Sequence, residues 1–148
     1  MATPRTIRRL AFQTLYQLDA VKDPEPASIR ASIDVDQELS KSDIDKALAL
    51  AQLAYDFRAE ADSAVAELAP EWPTHRQPAV DRALLRLAFY EMTQTSTPPK
   101  AAVAEAVKLA KEFSTEKSPA FLNAILDKLL KKVLADQPAG QSLGEREG

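Results

Sequence analysis

Apolar residues recur along this chain at intervals of three and four, the period of one face of an amphipathic helix, and no stretch reads as a strand. The spacing predicts helices over about 4–20, 41–69, 78–95, 100–113 and 118–135, with a short further one at 27–39 through Ile29, Ile33 and Val35. All three glycines, Gly140, Gly144 and Gly148, lie in the last nine residues, so no earlier helix can end on a left-handed glycine cap. Proline supplies the punctuation instead. Pro24 and Pro26, Pro70 and Pro73, Pro98 and Pro99, and Pro138 fall between the periodic segments. The expected organisation is one helical domain over 1–135 followed by a disordered tail over 136–148, which is short of large apolar groups.

The faces follow from the same count. In the segment 41–69, Ser42 is the expected N-cap with Asp43 and Asp45 in the first turn. Leu50, Leu53, Ala54, Phe57, Ala61, Val65 and Leu68 then form the expected buried stripe. In 78–95, Val80, Leu84, Leu85, Leu87, Phe89 and Met92 cover most of the circumference and leave Arg82 and Arg86 on a narrow polar strip, the pattern of a central helix. Val103, Ala106, Val107, Ala110 and Phe113 give the next helix a single apolar face. Leu122, Ile125, Leu126, Leu129 and Val133 do the same for the last one, with Ser118 as N-cap and Pro119 at the first helical position.

Composition narrows the class. Hydrophobic residues at 45% and charged residues at 28% are those of a soluble globular protein, and no apolar run approaches the roughly 20 residues of a membrane span. The start, MATPRTIRRLAFQ, has no secretory pattern, so a cytoplasmic location is expected. Without Cys, and with His75 as the single His, no thiolate or histidine metal site can be assembled. A Gly-rich phosphate loop and a nucleophile elbow are also missing. The paired carboxylates Asp34 with Asp36 and Asp43 with Asp45 sit in acidic surface stretches. No catalytic residue, metal ligand or cofactor is expected.

The net charge of −3 hides an uneven distribution. Residues 82–135 carry nine Lys or Arg against five acids, and the first 22 residues carry Arg5, Arg8, Arg9 and Lys22 against Asp19. Between them, 23–81 holds thirteen acids against five bases. Wound at about 100° per residue, the first helix places Ile7, Leu10, Ala11, Leu15 and Leu18 on one side and Arg5, Arg8, Arg9, Phe12 and Tyr16 on another. Arginines in a first turn oppose the helix dipole, yet a basic stripe with rings suits single-stranded RNA. The plain alternative is a solvated face with Phe12 and Tyr16 packed at the core edge. On the last helix Phe121 shares a stripe with Lys128 and Lys132, where ring and cations can meet one ligand; equally, lysines near a helix C-terminus satisfy the dipole and Phe121 fills a gap. Trp72, alone in EWPTHRQP, reads as a plug between bundles.

In order, RRLAFQTLYQLD, VDRALLRLAFYEM, EAVKLAKEF and FLNAILDKLLKK resemble the NusB family of bacterial transcription antitermination factors over about residues 4–133. The resemblance implies an all-α fold of two small antiparallel bundles forming one compact domain, without enzymatic activity. It implies pairing with the ribosomal protein NusE, binding of the pair to single-stranded boxA RNA, and read-through by an RNA polymerase antitermination complex, notably in ribosomal RNA operons. Some members self-associate, so a homodimer is also open. Carried over by position, Arg5, Arg8, Arg9, Tyr16 and Phe121 fall at RNA-contacting places, with Lys117, Lys128 and Lys132 beside them, and Asp81, Arg82 and Glu91 on the helix used toward the partner. Two departures stand out. Thr6 and Ile7 interrupt the arginine cluster, and SPAFLNA replaces a more common Ser-His-Lys-Phe-Val-Asn-Gly, so a charge beside Phe121 is missing, which Lys117 partly restores. The alternative is a protein-interaction module of the same fold with weak or no RNA binding. A similar domain also precedes the catalytic domain of certain ribosomal RNA cytosine methyltransferases, but with only the tail from Asp136 beyond the helices an intrinsic methyltransferase is not expected.

Overall fold

A computed structural model of the chain describes residues 4–21 and 40–136. Among them are six α-helices and no strand: α1 Pro4–Ala20, α2 Lys41–Asp56, α3 Arg58–Leu68, α4 Ala79–Gln94, α5 Pro99–Phe113 and α6 Ser118–Asp136, with one 3-10 turn at Thr74–Arg76. The anticipated helix at 27–39 and the tail from 137 lie outside the described residues. The all-helical expectation is met, and five of the predicted segments fall where the periodicity put them, one of them in two pieces.

That piece is the segment 41–69. It breaks at Phe57, whose backbone (φ −94°, ψ 8°) ends α2 and starts α3. Neither Gly nor Pro stands there. What accompanies the break is the seating of the Phe57 ring on α4, stacked on Phe89 at 6.0 Å and edge-on to Tyr90 at 5.8 Å. Such aromatic pairs add about 0.5–1.5 kcal/mol beyond the area they bury.

The buried face of α2 also differs from the expected one. Ile44, Ala47, Ala51 and Ala54 point inward, while Leu53 is 51% exposed. The reason is steric. A run of alanines at i, i+4 and i+7 lets α1 approach closely, and α1 answers with Leu10, Ala11 and Leu15, all fully buried. Counting large apolar residues overlooks a face built from small ones. The N-cap shifts too: Ser40, not Ser42, accepts the Asp43 N–H at 3.0 Å.

Helix α4 is central, as its all-round apolar pattern predicts. It packs on α1, α2, α3, α5 and α6, and Leu84, Leu85 and Leu87 are fully buried. The connections 95–98 and 114–117 are short, which makes α4, α5 and α6 successive antiparallel neighbours. One core runs through all six helices, from Ala11, Phe12 and Leu15 to Leu122, Leu126 and Leu129. Ser118 opens α6, but its hydroxyl is turned to Asp81 rather than used as a cap.

Replacing Ala51 by Leu is expected to cost about 1–3 kcal/mol by overpacking the α1–α2 contact. Leu53→Ala, on the exposed side of the same helix, should stay within about 0.5 kcal/mol. Urea denaturation of the two variants checks the assignment of this face, and a reversed order overturns it.

Candidate nucleic-acid interface

The three arginines of α1 do not stand free. Arg5 forks onto Glu105 of α5, with Nε and Nη2 each 3.0 Å from a carboxylate oxygen. The Nε of Arg8 donates to both oxygens of Glu91 on α4, at 3.0 and 2.9 Å. Arg9 pairs with Glu112 of α5 and lies 4.9 Å over the Phe113 ring, a cation–π contact. Phe113 in turn meets Phe12 at 5.2 Å, so Phe12 belongs to the core while Tyr16, one turn on, is 39% exposed. The α1 face was therefore half correctly divided by periodicity. Glu105 and Glu112, seven apart, share one face of α5, and that face meets Arg5 and Arg9, which are one turn apart on α1.

Exposure separates the three pairs. The Arg5 side chain is 67% exposed, whereas Arg8 and Glu91 are almost wholly withdrawn from solvent. Burial raises the Glu91 carboxyl above its ordinary range despite the opposing pull of Arg8. Glu105 moves the other way, lowered chiefly by its hydrogen bond from Arg5. The linkage signs are opposite. Folding favours protonated Glu91, a contribution present at low pH that is lost as pH rises through its raised folded value. The Glu105 contribution is present above its unfolded value and lost as pH falls through its lowered one.

On α4, the residues expected to face a protein partner turn inward. Asp81 is 1% exposed and accepts hydroxyls from Ser114 at 2.6 Å and Ser118 at 2.8 Å, tying α4 to the α5–α6 connection. Glu91 is spent on Arg8. Arg82 donates to Asp19 of α1 at 2.8 Å and to the carbonyls of Thr74 and Gln77 at 2.9 and 3.1 Å. Arg86 holds Asp62 of α3 with two bonds, at 3.0 and 2.8 Å, and Asp19 with a third at 3.2 Å. Asp81 and Glu91, expected on the partner-facing helix, are both buried ties between helices in the chain alone, and Arg82 clamps a loop. Arg8 belongs with them. A polar letter in a helical pattern does not say whether its partner is water or another helix.

The exposed cluster lies on α6 and the residue just before it. Phe121 is 40% exposed, and Lys117 and Lys128, both exposed, have no ion-pair partner among the described residues. Phe121, Lys128 and Lys132 follow one stripe, seven and four residues apart. Lys132 pairs with Glu67 of α3 at 2.9 Å. Phe121 is not isolated, because Trp72 packs edge-to-face against it with centroids 4.3 Å apart. Among the described residues no group of three or more His, Cys, Asp or Glu is placed to hold a metal. A cleft of about 250 Å³ between α3, α4 and α6, lined by Ala64, Phe89, Met92, Thr93, Lys132, Val133 and Asp136, assembles no nucleophile with a base. No described helix is long and apolar enough to cross a membrane.

Among the described residues, fold and surface together define an all-helical protein that presents an exposed ring with cations near it at α6. The family model described as the NusB family matches residues 5–131. The chain is 39% identical over 128 residues to the transcription antitermination protein NusB of Solibacter usitatus, covering 86% of this chain and 88% of that one. It is 38% identical over 135 residues to the protein of that name from Symbiobacterium thermophilum, with the same coverage. Among solved structures, NusB of T. maritima superposes with a TM-score of 0.76 at 30% identity, covering 89% of this chain and 94% of the other. A crystal structure of the antitermination factors NusB and NusE in complex with dsRNA matches with a TM-score of 0.72 at 25% identity, over 86% and 96% of the two chains. The chain belongs to the NusB family, a family of non-enzymatic transcription antitermination factors.

Arg8→Ala is expected to destabilise the fold by about 3–5 kcal/mol, because it strands a buried carboxylate. The double replacement Arg8→Met with Glu91→Leu should recover most of that loss. Chemical denaturation of the single and double variants decides between an ion pair that holds the fold and a side chain free for a ligand. For Glu105, Arg5→Ala should move the carboxyl titration upward, and NMR detection of that carboxyl at varied pH reads it directly.

Proposed function

We propose that this protein is an RNA-binding antitermination factor that acts in the cytoplasm as a pair with the ribosomal protein NusE. The pair binds single-stranded boxA-type RNA and supports read-through by RNA polymerase, notably in ribosomal RNA operons. The observation that carries the reading is the exposed Phe121 of α6 with two exposed lysines that hold no ion pair among the described residues, Lys117 just before the helix and Lys128 two turns along it. A ring offers a sequence-tolerant face to a splayed base, and ammonium groups flank it for phosphates. Tyr16 offers a second exposed ring, and Arg5 and Arg9 keep part of their guanidinium surface in water. A NusB in complex with NusE and RNA is the structural relative that supports the assembly.

A second reading has its own support. Arg5, Arg8, Arg9 and Lys132 each already hold a carboxylate, so of the cations expected at the RNA site only Lys117 and Lys128 are unshared among the described residues. This favours weak RNA binding by the lone chain and stronger binding once the partner adds its own surface.

The test is a titration of the full chain, with and without NusE, against a boxA-type single strand and a duplex of equal length at two salt concentrations. Binding to the single strand, enhanced by NusE, is the expected result. Phe121→Ala should weaken it by about 1–3 kcal/mol. Joint replacement of Arg5 and Arg9 by Ala should flatten the salt dependence, because fewer counterions are released. Native mass measured in the same samples separates a heterodimer from a homodimer. Absence of RNA binding in both states sinks the reading.

A further inference from the structure

Trp72 is the single tryptophan of the chain and sits in the segment between α3 and α4, far in sequence from the residues that the RNA reading uses. Its ring is half-buried, packed on the edge of the core, and meets Phe121 edge-to-face at 4.3 Å with 65° between the planes. The contact takes up one side of Phe121 and leaves that ring 40% exposed. An edge-to-face pair is directional, since the positive edge of one ring seeks the negative face of the other. Phe121 on its own, on an exposed helix face, would be free to turn between rotamers. Against Trp72 it has one seat.

The seat itself is fixed from behind. The Trp72 backbone N–H donates to the Ala69 carbonyl at 2.9 Å, and the Trp72 backbone carbonyl accepts from Nε2 of the buried Gln77 at 3.2 Å. Arg82 then ties the carbonyls of Thr74 and Gln77 to Asp19, which joins this segment to both α1 and α4. A surface loop held by that many internal bonds is built to a fixed position. Packing alone calls for an apolar side chain at 72, not for an internally bonded platform facing an exposed ring.

Resting on the RNA reading above, we propose that Trp72 is a positioning residue of the RNA site: it holds the Phe121 ring in the orientation that receives one base. Trp72 acts through Phe121, so its contribution concerns bases and not phosphates. Its indole, 4.3 Å from the receiving ring, is also a built-in reporter of occupancy.

The experiment uses the full chain with NusE, a boxA-type oligoribonucleotide and an abasic strand of the same length. In the unmodified protein the base-bearing strand should change Trp72 emission, and the abasic strand, bound through phosphates, should leave it nearly unchanged. Trp72→Ala should lose about tenfold in affinity for the base-bearing strand and little for the abasic one. Phe121→Ala should lose a similar factor, and the double variant no more than either alone. Trp72→Phe, which restores an aromatic edge, should regain most of the affinity, whereas Trp72→Leu, which keeps apolar bulk, should not. Base-strand affinity unaltered in Trp72→Leu, additive losses in the double variant, or emission unmoved by a bound base-bearing strand overturns the proposal while leaving the RNA reading intact. No binding of either strand by the unmodified protein overturns both.

Discussion

The fold hangs on a set of arginine–carboxylate forks between α1 and the helices that follow it far along the chain. Arg8 meets Glu91 near the end of α4, and Asp19 meets Arg82 and Arg86 near its start. Those two contacts have opposite polarity, so they are satisfied only when α1 and α4 run antiparallel in one register. Reversing α1 would bring arginine to arginine and aspartate to glutamate in a place with little water to screen them. Apolar packing of leucine and alanine faces supplies the bulk of the driving force but is tolerant of sliding. The charge pattern removes that tolerance.

The same forks resolve an oddity in α1. It carries its cations at the N-terminus and an acid at the C-terminus, the reverse of what its dipole favours. Partner helices make up the deficit, with Glu91, Glu105 and Glu112 surrounding the arginines. A consequence for function follows at once. Positive charge on α1 that looks available in one dimension is committed in three, whereas Lys117 and Lys128 near Phe121 hold no ion pair among the described residues.

Much of this was legible in the residues. The positions of five helical segments, the centrality of α4, the burial of Phe12's neighbours Leu10, Ala11 and Leu15, and the off-core place of Phe121 all follow from periodicity, because a helix repeats its face every 3.6 residues whatever surrounds it. The family resemblance carried the rest of the fold. What stayed hidden depends on contacts across long separations. Asp81 finds Ser114 and Ser118, and Arg8 finds Glu91, across 33 to 83 positions, and no local pattern encodes such a pairing. Leu53 misled because greasiness is a weaker guide than shape where alanines let two backbones close up. The break at Phe57 belongs to the same kind, decided by a ring's place on another helix.

The Arg9 guanidinium is clasped on two sides, by Glu112 and by the face of Phe113. A long side chain normally surrenders considerable rotational freedom when it is pinned by something it binds. Here that freedom has been given up during folding. Whatever anion reaches this guanidinium meets a group already at rest, so the entropic toll of recognition has been moved from the encounter to the moment the helices close.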